Sequence, residues 1–124
     1  MKWALLFAGG GIGAVLRFAL GSWIVARAAG GFPWSTFAVN VVGCLAIGFA
    51  VVAADDFGWL GSSARLFLVV GLLGGFTTFS TFGFETISLL IEGRFFAAVA
   101  YAGGSVVLGV AAVGVALGLG RTLE

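Results

Sequence analysis

Apolar residues in this chain fall into four long blocks, set apart by short clusters of charge and turn-formers. Ala28 to Ala54 and Phe95 to Gly120 contain no charge. A block from Leu66 to Ile91 is charge-free as far as Phe84, and Trp3 to Ala26 is interrupted only by Arg17. About 20 apolar residues in a helix cross a hydrocarbon core of roughly 30 Å. The blocks therefore predict membrane-spanning helices over about 3–26, 34–54, 64–91 and 95–120.

The separators are Gly30-Gly31-Phe32-Pro33, with Pro33 suited to a first helical turn, then Asp55-Asp56-Phe57-Gly58, then Glu92-Gly93-Arg94. Loops this short place successive helices side by side and antiparallel, which predicts a single all-α membrane domain over 1–124. Trp3, Trp23, Trp34 and Trp59 fall near span ends, where amphipathic rings anchor at the interface.

Composition agrees with that pattern: 61% hydrophobic residues, a mean hydropathy of +1.21, and only six basic and five acidic side chains. The run after Lys2 continues past Arg17 and is expected to be an uncleaved helix, not a signal peptide. Without histidine, and with Cys44 the sole cysteine, the chain has neither an imidazole base nor a disulfide. An enzyme is not expected. A net charge of +1 gives no reason to expect a nucleic-acid partner.

The glycine pairs Gly9/Gly13, Gly71/Gly75 and Gly114/Gly118 have the small-xxx-small spacing that lets helices approach closely in lipid. Gly9 to Ala14 also matches a loose dinucleotide fingerprint, but no strand or βαβ unit surrounds it. With four spans, Lys2, Arg65 and Arg121 share one side and Arg27 and Arg94 the other. Cytoplasmic excess of Lys and Arg orients membrane proteins, and three against two is almost no excess. Either the chain inserts both ways and pairs as an antiparallel homodimer, or one residue of bias suffices.

Several polar groups lie where lipid is expected. The midpoint between Arg65 and Glu92 falls between Thr78 and Phe79, inside Gly74-Gly75-Phe76-Thr77-Thr78-Phe79-Ser80-Thr81-Phe82. Gly74-Gly75 can unwind a helix there, and loosened carbonyls between two half-helices are the pattern of membrane ion sites. Thr36, Asn40 and Cys44 share a helix face, as do Tyr101 and Ser105. Arg17 demands water or a partner; Glu85 could supply the latter or face its own aqueous pocket. Phe79 and Phe82 are spaced i, i+3, and the positive edges of their rings can join neutral donors in replacing the water around a small anion.

Together with Thr36-Phe37-Ala38-Val39-Asn40 and Gly9-Gly10-Gly11-Ile12-Gly13-Ala14-Val15-Leu16-Arg17-Phe18, the 74–82 string resembles the bacterial Fluc fluoride channels, also called CrcB, and the likeness covers all four spans. The resemblance implies a passive fluoride exporter of the cell inner or plasma membrane, built as a dual-topology homodimer with two antiparallel pores. It implies a structural sodium ion at the dimer interface, held by carbonyls that map to Gly74 and Thr77. Phe79, Phe82, Asn40, Tyr101 and Ser105 map to the fluoride pore, Glu85 to a family glutamate and Arg17 to a vestibule. Thr36, Thr78 and Thr81 complete the expected polar lining. Where some members carry a further hydroxyl one turn beyond the serine, this chain has Gly109. Two other readings are a small dual-topology drug/proton antiporter, which needs a first-span carboxylate where Arg17 stands, and a non-transporting membrane subunit, in which a polar midplane has no use.

Overall fold

A computed structural model describes residues 1–123 as an all-helical bundle. Its helices are α1 (Lys2–Val25), α2 (Trp34–Val51), α3 (Ser62–Arg65), α4 (Gly74–Phe76), α5 (Phe79–Ile91) and α6 (Phe95–Arg121). Val52–Asp56 and Leu66–Leu73 are π-helical continuations, the second joining α3 to α4. Four helical stretches, Lys2–Val25, Trp34–Asp56, Ser62–Ile91 and Phe95–Arg121, are long and apolar enough to cross a membrane. The chain is thus a multi-pass membrane protein.

The π geometry escapes sequence reading for a physical reason. A segment such as Leu66–Leu73 is apolar on every side, so it has no polar stripe from which a helical phase could be read. Pro33 lies one residue earlier than expected, at the N-cap of α2. The turn before it uses positive φ at Gly30 (92°) and Gly31 (65°), a region that disfavours side chains. Arg94, from the turn between α5 and α6, closes this turn by donating from Nη1 to the Gly31 carbonyl at 2.7 Å and from Nη2 to that of Gly30 at 3.1 Å.

Packing follows the small residues. α2 lies chiefly along α6, and α1 along Leu66–Leu73 and α4. A Cβ on Gly13 would strike the Leu72 carbonyl, and one on Gly75 the Gly10 carbonyl. Backbone here meets backbone, the contact that such glycine spacings permit. The third pair departs from expectation: a Cβ on Gly114 or Gly118 would meet nothing within 4 Å. On α6 the close approach to α2 and its continuation is made instead by Gly109, Ala116 and Gly120, which are buried. Gly109 admits the Cys44 sulfur, 3.3 Å from where a Cβ would stand, and the Ala116 methyl fills the gap over Gly48.

Gly74 and Gly75 are helical, so they are not where the helix loosens. The two residues after α4 are extended instead, Thr77 with ψ 159° and Thr78 with φ −149° and ψ 119°. Gly75 is used for close approach to α1, whereas a Cβ on Gly74 would meet nothing within 4 Å, and β-branched threonines, which favour extended backbone, take the non-helical positions. Thr78 then starts α5 as its N-cap, its Oγ1 accepting from the Thr81 amide at 3.3 Å.

Candidate functional site

The extended pair Thr77–Thr78 presents backbone polar groups inside an apolar bundle, and α2 meets them with its one amide. Asn40 Nδ2 donates to the Thr78 carbonyl and Asn40 Oδ1 accepts the Thr78 amide, each at 2.9 Å. The two bonds satisfy an entire peptide residue in a single side-chain contact. One amide hydrogen of Asn40 remains, since the group carries two.

Two cavities border this contact. One, of about 360 Å³, is lined by Asn40, Thr77, Thr78, Phe79, Phe82 and Ser105 among others. None of its lining residues is charged. Ser105 Oγ is buried there without a hydrogen-bond partner among the described residues. The rings of Phe79 and Phe82 stand 5.6 Å apart and tilted, and Phe82 leans on Tyr101 at 5.2 Å. Phe79 is 84% exposed in the single chain.

The second cavity, of about 690 Å³, runs from Val25 and Ala26 at the end of α1 inward to Thr78 and Thr81. Arg17, Ser22, Ser35, Thr36 and Glu85 lie along it. Among the described residues, Thr78 alone lines both cavities. The Asn40–Thr78 contact therefore stands on the partition between a cleft with charges and a cavity without them.

Glu85 and Arg17 share the cleft but do not pair; the described residues hold no ion pair between them. Glu85 Oε1 accepts from Thr36 Oγ1 at 2.9 Å and Oε2 from the Tyr101 hydroxyl at 2.6 Å. Both donors are buried, Tyr101 completely. Three spans, α2, α5 and α6, are joined through this carboxylate. Arg17 donates from Nε to the Gly75 carbonyl at 3.2 Å. Gly74 lines the neutral cavity beside Thr77, and no side chain of the described residues donates to either carbonyl.

The residues singled out from sequence thus divide in two. Asn40, Thr78, Phe79, Phe82 and Ser105 surround the neutral cavity with Gly74 and Thr77, while Arg17, Thr36, Thr81 and Glu85 line the cleft, with Tyr101 behind Glu85. Sequence reasoning missed the apolar wall, Ile47, Val69, Leu73 and Val106, because an apolar residue facing a cavity looks like one facing lipid. Ser22 and Ser35 in the cleft were also missed. Their signal was available, as hydroxyls adjoining the interfacial Trp23 and Trp34.

An apolar four-span bundle, with one charge-free and one charged cavity meeting at Thr78, defines a multi-pass membrane protein. Residues 4–119 match the family described as "CrcB-like protein, Camphor Resistance (CrcB)", and the chain belongs to it. It is 48% identical over 113 residues to the fluoride-specific ion channel FluC of Chloroflexus aurantiacus, covering 91% of this chain and 90% of that one. It is 45% identical over 108 residues to FluC of Thermus thermophilus (87% and 84% covered) and 42% identical over 120 residues to FluC of Nitratidesulfovibrio vulgaris (97% of each).

Proposed function

We propose that this chain is a fluoride-selective passive channel that releases fluoride from the cytoplasm across the inner or plasma membrane. The observation that carries the reading is the unpartnered Ser105 hydroxyl in a charge-free cavity that also holds Asn40, Phe79 and Phe82. A buried hydroxyl without a partner is costly to a fold and suits a ligand that accepts hydrogen bonds. Neutral donors and ring edges can replace the water of a small anion, and without a fixed cation they hold it weakly enough for it to leave. Arg17, in the adjoining cleft with Glu85, places a positive charge beside the partition.

The passive mechanism needs only an uncharged acid outside the cell. Neutral HF crosses lipid, dissociates in a near-neutral cytoplasm, and leaves an anion that lipid retains. An inside-negative potential then drives the anion out through a pore, by about 2.3 kcal/mol per charge per 100 mV.

The working unit in this reading is an antiparallel, dual-topology homodimer with two pores and with each third span broken near the midplane. Supporting it are the near-balance of Lys and Arg between the two faces and the exposure of Phe79. For a structural sodium ion, the fit rests on the carbonyls before and at the extended pair, which lose their helical partners. Oxygen donors suit a hard cation. Gly74 and Thr77 would hold it, and bound there it would neutralise the dipoles of their carbonyls. Fluoride efflux from liposomes, measured with an ion-selective electrode, tests the reading; wild-type protein that releases chloride as fast as fluoride would refute it.

A further inference from the structure

We infer that Arg17 is a positioning residue, whose Nε–H holds the Gly75 carbonyl and with it the path of the chain through Thr77 and Thr78. The bond is 3.2 Å long and joins residues 58 apart in sequence. In an unbroken α-helix the Gly75 carbonyl would accept from the amide of residue 79, four positions on. The extended backbone at Thr77 and Thr78 removes that partner. An orphaned carbonyl inside an apolar span is expensive, and a cationic donor is the favourable replacement at the C-terminal end of a helix.

The placement is specific to this turn. Gly75 packs directly on α1, since a Cβ there would strike the Gly10 carbonyl, so the helix that approaches the turn also bonds it. α2 holds the other side of the interruption, through Asn40 on Thr78. Between these two anchors lie only Phe76 and Thr77. The bond therefore also sets where the carbonyls of Gly74 and Thr77 stand, one residue before Gly75 and two after it. This role differs from that of a vestibule charge, which acts through its field and needs no fixed partner.

Side-chain chemistry separates the two roles. Glutamine carries its amide nitrogen at the chain position of arginine Nε, so Arg17→Gln keeps an N–H at the same reach and loses the charge. Lysine has a methylene at that position and its charge one bond further, so Arg17→Lys does the reverse. Arg17→Met keeps neither. Amide hydrogen exchange of the full chain in nanodiscs, followed in peptides covering 74–82 with α6 peptides as the fold control, reads the outcome without any use of fluoride. Arg17→Met and Arg17→Lys are expected to speed exchange of the 77–80 amides about tenfold, as befits loss of a hydrogen bond from a charged donor. Arg17→Gln is expected to stay within about twofold of wild type, the bond itself being retained. Protection by lysine equal to wild type, or exchange in the glutamine variant as fast as in the methionine one, would overturn the inference. So would acceleration spread evenly over α6 in all three variants. If Arg17→Met does not fold, the glutamine and lysine variants decide between them. Failure of fluoride transport in the wild type would bear on the proposed function alone.

Discussion

Asn40 grips Thr78 by both ends of its amide, donating to its carbonyl and accepting from its amide at 2.9 Å each, on the partition between a charged cleft and a neutral cavity. The side chain is therefore interhelical glue and cavity lining at once. Its two functional ends are committed to backbone, and its remaining N–H is the part available to an ion.

Asn40→Asp should remove both roles. A carboxylate cannot donate to the Thr78 carbonyl, and when ionised it repels an anion. The fold should lose about 1–3 kcal/mol, the cost of an unsatisfied buried group, and fluoride efflux should stop. Thermal unfolding and liposome efflux measured on one preparation check both. Efflux equal to wild type would leave Asn40 with its structural role only.

Ser105→Ala should separate stability from transport. Removing a buried hydroxyl that has no partner should raise stability by up to about 1 kcal/mol, while flux falls because a donor to the ion is lost. A loss of stability with unchanged flux would show that Ser105 bonds the protein and not the ion.

Phe79→Ile and Phe82→Ile keep apolarity but abolish the ring quadrupole, and both should cut fluoride flux sharply with the dimer intact. Their effects on the fold should differ. Phe79 is mostly exposed in the single chain, whereas Phe82 packs on Tyr101 at 5.2 Å. Phe82→Ile should therefore lower stability more, since it loses the pairs with both Tyr101 and Phe79 whereas Phe79→Ile loses one, each worth about 0.5–1.5 kcal/mol. Dimer content by crosslinking and efflux from the same vesicles report on each; undiminished flux in both would remove the rings from the mechanism.

Gly13→Ala should force α1 away from the third span, because its methyl would strike the Leu72 carbonyl. Overpacking of this kind costs roughly 1–3 kcal/mol. Gly114→Ala has open space within the chain and should leave the fold unharmed, gaining up to about 1 kcal/mol of helix propensity. Comparing the unfolding midpoints of the two variants checks the assignment; equal losses would mean that Gly114 packs against something outside the single chain.

The number and approximate extent of the spans could be read from residue order because burial in lipid is a property of one segment at a time. A charge-free run long enough to cross the membrane is helical there whatever its neighbours do. The same logic marked Arg17, Asn40, Thr78, Glu85 and Ser105 as polar groups in an unfavourable place. It could not say what each one meets. Gly74-Gly75 looked like the weak point of the third span, yet both are helical and the extended residues are Thr77 and Thr78. Arg17 could have paired with Glu85; packing gave it the Gly75 carbonyl and gave Glu85 the hydroxyls of Thr36 and Tyr101. Hydrophobicity sums along a single helix, but a hydrogen bond requires two groups within about 3 Å of each other. Here those groups lie 38, 49 and 58 residues apart in the chain, and only the packing of helix on helix brings them together.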